Sequence, residues 1–159
     1  MENRKVKVVN MTNGSIGVKV PALNFSRDWL AQGSYFNIEE NILEELMYDP
    51  GFKYMIDQGM LYIEDMSAKQ DLGIEPVEAT EPVNIIVLND KERRRYLVNL
   101  SQKEFEEKVS KLSLEQVRLL ADYAIKNRIT DYDKAKFIKS ICQKDIIQAI
   151  KLNDEAKEE

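Results

Sequence analysis

The sequence predicts an α+β fold: a β-rich N-terminal domain over residues 1–66, a linker or extended strap over 67–88, and a C-terminal helical domain over 89–159. Apolar residues in the first third alternate with period two, which is typical of half-buried strands. Apolar residues beyond residue 89 recur at helical spacing behind Ser-x-x-Glu and Ser-x-x-Gln capping patterns. Between them, residues 67–82 contain two of the four prolines and few large apolar side chains.

Three strands are expected before residue 30. The pair Asn13-Gly14 lies between the first two, and Asn-Gly favours a type I′ turn, so these two strands are predicted to form a hairpin. Pro21 ends the second strand. The apolar residues that define the three strands are Val6 and Val8, then Ile16, Val18 and Val20, then Leu23, Phe25 and Trp29.

A short helix and a returning strand complete the predicted N-terminal domain. Asn37 is the expected N-cap, with Glu40 three residues on, and a stripe that includes Ile38 and Leu46 follows. Asp49-Pro50-Gly51 is expected to stop the helix. Residues 52–58 are predicted to add one or two helical turns, and residues 60–63 to return as a strand. A small barrel or sandwich plugged by helices accounts for this pattern.

The C-terminal domain is predicted to be a bundle of short helices. Ser101, Ser113 and Thr130 are the expected N-caps of three helices, and Asp145 is expected to begin a fourth. Each helix is too short to be stable alone in water, so the helices are expected to pack on one another. The polar tail over residues 153–159 is expected to fray.

Composition disfavours several classes of function. The chain of 159 residues has no histidine and one cysteine, Cys142, so it lacks the usual general base and any Cys-based zinc site. No run of residues approaches the roughly 18 apolar positions of a membrane span. Residues 1–75 carry 7 Lys and Arg against 12 Asp and Glu, whereas residues 76–159 carry 16 of each. Neither half is basic, which disfavours nonspecific nucleic-acid binding.

No motif predicts a catalytic, cofactor or metal site. Glu39-Glu40 and Glu44-Glu45 are interpreted as the solvated face of an amphipathic helix, because paired carboxylates catalyse only in a cleft that separates their pKa values. The acidic run at residues 131–133 begins like a calcium loop but lacks the later Gly and Glu, so it is interpreted as the first turn of a helix. Cys142 lies at core spacing and is expected to pack as a small hydrophobe.

Five residues are the candidates for contact with a partner. Arg93, Arg94 and Arg95 form the one dense basic run, on what is expected to be a surface helical turn. Trp29 and Tyr35 belong to a group of aromatic residues at strand spacing, which is predicted to be mostly core with some rings at an interface rim.

Several motifs resemble small proteins encoded among the structural genes of tailed bacteriophages. These are an N-x-T-x-G segment ending in proline at residues 10–21, an Arg-to-Gly element at 27–33, E-L-x-Y-x-P-G at 45–51 and I-x-D at 63–65. The C-terminal helices also resemble that family, closing in A-I-x-x-N-x-E-A at residues 149–156. The similarity runs over nearly the whole chain and rests on turn and strand positions.

The resemblance implies a non-enzymatic virion structural protein that is assembled in the host cytoplasm and has no cofactor. A head-associated decoration or accessory protein is the first expectation. Multiple copies would stabilise neighbouring subunits of the major capsid protein, and the 67–88 strap would reach between them. A connector or tail component is a close variant. A different class is an intracellular nucleic-acid-binding or regulatory adaptor that uses residues 93–95 with Lys134, Lys136 and Lys139.

Overall fold

A computed structural model of the chain describes residues 4–158 and confirms the predicted α+β class, with 51% helix and 16% strand. The chain divides into two compact units between Ile86 and Val87. We call residues 1–86 unit 1 and residues 87–159 unit 2. All the described strands lie in unit 1, whereas unit 2 is helical throughout its regular structure.

Unit 1 contains two small antiparallel sheets and three short α-helices. The strands are β1 (Lys5–Asn10), β2 (Ile16–Val20), β3 (Phe25–Trp29), β4 (Tyr35–Glu39) and β5 (Leu61–Ile63). One sheet has the order β4-β1-β5 and the other pairs β2 with β3. The described strands of the expected barrel or sandwich therefore form two separate sheets and not one closed barrel. The helices are α1 (Glu40–Leu46), α2 (Pro50–Asp57) and α3 (Met66–Asp71).

The predicted hairpin of the first two strands is wrong, because β1 and β2 lie in different sheets. Neither Asn13 nor Gly14 has the positive φ that a type I′ turn requires. In place of a type I′ turn, the buried side chain of Asn10 binds backbone groups of the segments that follow β1 and β3. Its Nδ2 donates to the carbonyl oxygens of Gly14 at 2.7 Å and Ala31 at 3.2 Å, and its Oδ1 accepts from the Thr12 backbone N–H at 2.8 Å.

Trp29 joins the two sheets in the core of unit 1. Its side chain is fully buried, and its Nε1 donates to the Val8 carbonyl oxygen, 2.9 Å away on the other sheet. Its ring also meets that of Phe36 edge to face, with centroids 5.1 Å apart. The buried surface of the Trp29 ring and its hydrogen bond therefore both hold the β2-β3 pair against the three-stranded sheet.

The helix expected from Asn37 begins later than predicted. Residues 35–39 form β4, in which Ile38 lies opposite Val6 of β1, so strand pairing overrides the local capping signal. Helix α1 begins at Glu40 without a side-chain cap. The Asp49-Pro50-Gly51 signal ends this helix and also begins α2, because the Asp49 carboxylate accepts from the Phe52 N–H at 3.0 Å.

Residues 67–86, expected as part of an extended strap, fold within unit 1. They begin in α3 and continue into a loop, residues 76–85, which we call the clamped loop because two side chains bind its backbone. Gln70 Nε2 donates to three of its carbonyl oxygens at 2.9–3.3 Å, those of Pro76, Val77 and Ala79. The buried Glu75 carboxylate accepts from the backbone N–H groups of residues 83–85 at 3.0–3.2 Å.

Acidification is expected to weaken unit 1 through Glu75. Burial alone would raise the pKa of this carboxyl, but the loop N–H groups and the charge of Lys69 outweigh burial and hold the pKa below its ordinary value of 4.5. Since the folded pKa is the lower one, ionised Glu75 stabilises unit 1 above pH 4.5, and this contribution is lost as the pH falls further.

Urea unfolding of wild type and Glu75→Gln at about pH 7 and about pH 3.5 checks this expectation. The variant should be the less stable protein at neutral pH, and the difference should shrink in acid. Parallel pH profiles of the two proteins would contradict a stabilising role for the ionised carboxylate.

Unit 2 is a set of short helices whose N-termini are capped by side chains. Asn89 forms a capping box with Glu92, and Ser101 and Ser113 accept from N–H groups as predicted. The α-helices are α4 (Asp90–Arg94), α5 (Gln102–Val109), α6 (Leu114–Lys126), α7 (Tyr132–Cys142) and α8 (Ile146–Glu158). A π-helical turn over Arg95–Asn99 follows α4 directly.

Two predictions at the ends of helices in unit 2 are wrong. The N-cap of α7 is Asp131, whose carboxylate accepts from the Lys134 N–H at 3.1 Å, and not Thr130. The tail expected to fray is helical over residues 153–158, because α8 runs to Glu158, and Glu159 lies outside the described residues. Asp154 on α8 forms an ion pair with Arg128, which lies just after α6, and this pairing lowers the pKa of Asp154.

Candidate functional site

Trp29 and Tyr35, predicted together as partner contacts, have opposite environments. Trp29 is fully buried, so the prediction of a surface contact is wrong for this residue, which holds the sheets together instead. Tyr35 is 53% exposed on β4, an edge strand of its sheet. The Lys7 ammonium lies 4.4 Å from the centroid of the Tyr35 ring. Tyr35 therefore remains available to a partner.

The arginine run does not form one surface patch. Arg93 is buried and its Nη1 donates to Asp90 Oδ1 at 2.8 Å, so the prediction of a partner contact is wrong for Arg93. Arg94 and Arg95 are exposed. Successive residues of a helix point in different directions, so one arginine of three can be buried while its two neighbours are exposed.

Lys134, proposed with Lys136 and Lys139 for the adaptor hypothesis, is a core residue. It is 3% exposed, and its Nζ donates to the carbonyl oxygens of Leu97 at 3.0 Å and Leu100 at 2.6 Å. It therefore caps the carbonyl groups at the end of the π-helical turn and cannot reach a ligand at the surface. Lys136 and Lys139 are exposed on the same helix.

Unit 1 has a groove of about 720 Å³, which we call the acidic groove. Asp57 pairs with Lys53 at 2.8 Å, and Asp71 pairs with Arg4 at 2.7 Å. Glu44 and Glu45 form no ion pair within the described residues. The groove is lined by Glu44, Glu45, Met47, Tyr48, Lys53, Asp57, Asp71, Leu72, Gly73, Ile74, Asn84 and Ile85.

Tyr48 gives the acidic groove an aromatic rim. Its side chain is 84% exposed at the end of α1, whereas Ile74 and Ile85 in the same lining are buried. Helix α1 ends just before the Asp49-Pro50 turn, and that sharp stop leaves Tyr48 outside both helices. The groove thus combines an exposed ring, unpaired carboxylates and an apolar floor.

Unit 2 has a groove of about 570 Å³ between α7 and α8, which we call the basic groove. Lys139 pairs with Asp145 at 3.1 Å, whereas Lys136 and Lys151 have no ion-pair partner in the described part of the chain. Tyr132, 67% exposed, lies at the start of α7. The lining residues are Tyr132, Ala135, Lys136, Lys139, Ser140, Asp145, Ile147, Gln148 and Lys151.

Both grooves present charged side chains and an exposed tyrosine ring to solvent. Within residues 4–158 no group of three or more His, Cys, Asp or Glu side chains is arranged to hold a metal ion, and no helix there is long and apolar enough to cross a membrane. Cys142 is buried, as expected from its spacing. Tyrosine rings are enriched at protein interfaces, and the rims of interfaces are polar, so an exposed tyrosine beside charged groups suits contact with a protein partner.

Neither groove was predicted from the sequence, although each has a local signal. Glu45 lies three residues before Tyr48, and Lys136 and Lys139 follow Tyr132 on the same helix, three residues apart. The other lining residues include members of α3 and α8, which are different helices from those that carry these signals, so only the folded structure places them beside the signals.

Comparisons with protein-family models, with curated proteins and with solved structures each gave no match. Function therefore has to be inferred from the surfaces of this chain and from the motifs in its sequence.

Proposed function

We propose that the protein is a non-enzymatic structural component of a tailed-bacteriophage particle, as a head-associated decoration or accessory protein that stabilises neighbouring capsid subunits. The observation that carries the proposal is the 84% exposure of Tyr48 at the rim of the acidic groove. Tyrosine is enriched at interfaces and among the residues that dominate binding energy. The virion context comes from the resemblance of the sequence motifs to phage structural proteins.

The clamped loop supports the proposal with a second exposed surface. Val77 is 80% exposed, while its carbonyl oxygen accepts from Gln70 and so holds the backbone in place. A recognition loop that is ordered before binding loses less conformational entropy when a partner is bound. The strap expected over residues 67–88 is thus replaced by a folded loop that would contact an adjacent capsid subunit.

The proposed mechanism is burial of surface by many copies. A single contact through one tyrosine ring and one short loop is small beside the roughly 1,600 Å² of a standard interface. Repetition on a symmetric particle links such contacts, and linked contacts hold far more strongly than each does alone. A connector or tail component would use the same surfaces in a smaller ring.

Mass spectrometry of purified virions tests the proposal, with the copy number measured relative to the major capsid protein. We expect the protein to be present in numbers comparable with those of the capsid protein. A single ring of copies would instead identify a connector or tail component. Absence from the particle would overturn the structural role and favour the intracellular adaptor, with the lysines of the basic groove as its candidate contacts.

A further inference from the structure

The two units of the chain differ in net charge. Residues 1–86 carry 7 Lys and Arg against 14 Asp and Glu, whereas residues 87–159 carry 16 against 14. Unit 1 is therefore strongly acidic and unit 2 slightly basic. The same contrast is found locally, since the unpaired charges are carboxylates in one groove and ammonium groups in the other.

Apart from the sign of their charges, the two grooves contain the same kinds of side chain. Each has one exposed tyrosine at its rim, Tyr48 in the acidic groove and Tyr132 in the basic groove. Each has apolar residues in its lining, among them Leu72 in the first and Ile147 in the second. An apolar centre with an aromatic anchor and a charged rim is the usual anatomy of a protein interface.

We propose that the protein self-associates head to tail, with the basic groove of one copy bound to the acidic groove of the next. Lys136 and Lys151 of one copy would lie against Glu44 and Glu45 of its neighbour. Both tyrosine rings would be covered in the same contact, and burial of an aromatic side chain is a large favourable contribution to an interface.

A second copy is the occupant that the charges favour. Every chain carries both members of the complementary pair, so each copy can bind one neighbour through unit 1 and another through unit 2. Such a heterologous contact gives a ring where the rotation closes and a filament where it does not. The inference does not depend on the virion role, because it concerns the purified chain alone. On a particle the contact would join neighbouring copies through Tyr48 and leave the clamped loop to contact a capsid subunit.

Sedimentation velocity of the full chain over a range of concentrations tests the inference. We expect association that weakens from about 50 mM to about 500 mM salt, since ions screen exposed charge pairs. The variants E44K/E45K and K136E/K151E should each associate at least about tenfold more weakly than wild type, because each places like charges across the contact.

Mixing the two variants gives the sharpest test. The reversed acidic groove of E44K/E45K should bind the reversed basic groove of K136E/K151E. The unreversed grooves, one on each variant, should bind each other as in wild type. An equimolar mixture should therefore associate although neither variant does so alone, with the two chains alternating. The fourfold variant with both reversals in one chain should also recover self-association.

Matched controls separate this contact from a general effect of net charge. E64K/E78K changes the charge of unit 1 by the same amount at exposed residues outside the acidic groove, and K103E/K111E does so for unit 2. Both controls should associate like wild type. A wild-type chain that stays monomeric at every concentration and salt, or a mixture of reversed variants that fails to associate, would overturn the proposal.

Discussion

Replacement of Trp29 with alanine is expected to lower the free energy of unfolding of unit 1 by about 3–5 kcal/mol, as for other large aromatic residues in cores. The indole is fully buried where the two sheets meet. Its removal leaves a cavity beside Phe36 and takes the N–H donor away from the Val8 carbonyl oxygen. Since whole domains are stable by about 5–15 kcal/mol, this loss is a large part of the stability that unit 1 can have.

Urea unfolding followed by circular dichroism measures the free energy of unfolding of wild type and of Trp29→Ala. Trp29 is the only tryptophan, so fluorescence reports on unit 1 in wild type but is lost in the variant. Trp29→Phe should lower the free energy of unfolding by less than Trp29→Ala does, because a ring still fills most of the site. It should still be less stable than wild type, because the hydrogen bond to the Val8 carbonyl oxygen is missing. Tyr35→Ala is the exposed control and should change stability by no more than about 0.5 kcal/mol. An alanine variant as stable as the Tyr35 control would contradict the core role.

Replacement of Lys134 with methionine is expected to destabilise unit 2 by about 2–4 kcal/mol, because buried carbonyl oxygens without a donor cost about 1–3 kcal/mol each. Methionine keeps an unbranched apolar stem of similar length but removes the ammonium that binds the carbonyl oxygens of Leu97 and Leu100. It also removes the cation that lies 5.6 Å from the centroid of the Phe105 ring.

Thermal unfolding followed by circular dichroism gives the size of this loss, and hydrogen exchange locates it. Amide protection should fall most in residues 95–100, the segment that contains the two carbonyl groups bound by Lys134. Lys136→Met, two residues along the same helix and exposed, is the matched control and should behave like wild type. Equal stability of the Lys134 variant and wild type would mean that relief from burying the ammonium offsets the two lost hydrogen bonds.

Local patterns predicted most of the secondary structure but not how the strands pair. The apolar alternation in β1 and β2 and the caps at Ser101 and Ser113 depend on neighbours within a few residues, and all of them are found in the structure. The predicted hairpin does not form because both edges of β1 are paired with the distant strands β4 and β5, and local turn chemistry contains no information about so distant a partner.

The candidate site was less predictable, because burial of a polar side chain depends on tertiary partners. Lysine and arginine are almost never fully buried unless paired, so surface contact was the reasonable prediction for Arg93 and Lys134. Lys134 is buried because its Nζ binds two carbonyl oxygens at the end of the π-helical turn, more than thirty residues earlier in the chain. The last carbonyl groups of a helix have no donor within the helix and need a partner from elsewhere. The clamped loop was predicted to be part of a linker for a similar reason. Its own residues include few large apolar side chains, and its order comes from hydrogen bonds to Gln70 and Glu75, which precede it.

The central position of β1 in its sheet governs the order in which unit 1 can fold. β1 is the first strand in the chain, yet its partners β4 and β5 follow much later, with Val8 opposite both Phe36 and Ile63. Non-local pairing of this kind slows folding, because the entropy of closing a long loop is lost before the contacts form. During synthesis one edge of β1 stays unpaired until residues 61–63 have emerged. Shorter nascent chains therefore expose an apolar strand with an unpaired edge, the feature that recruits chaperones or leads to aggregation.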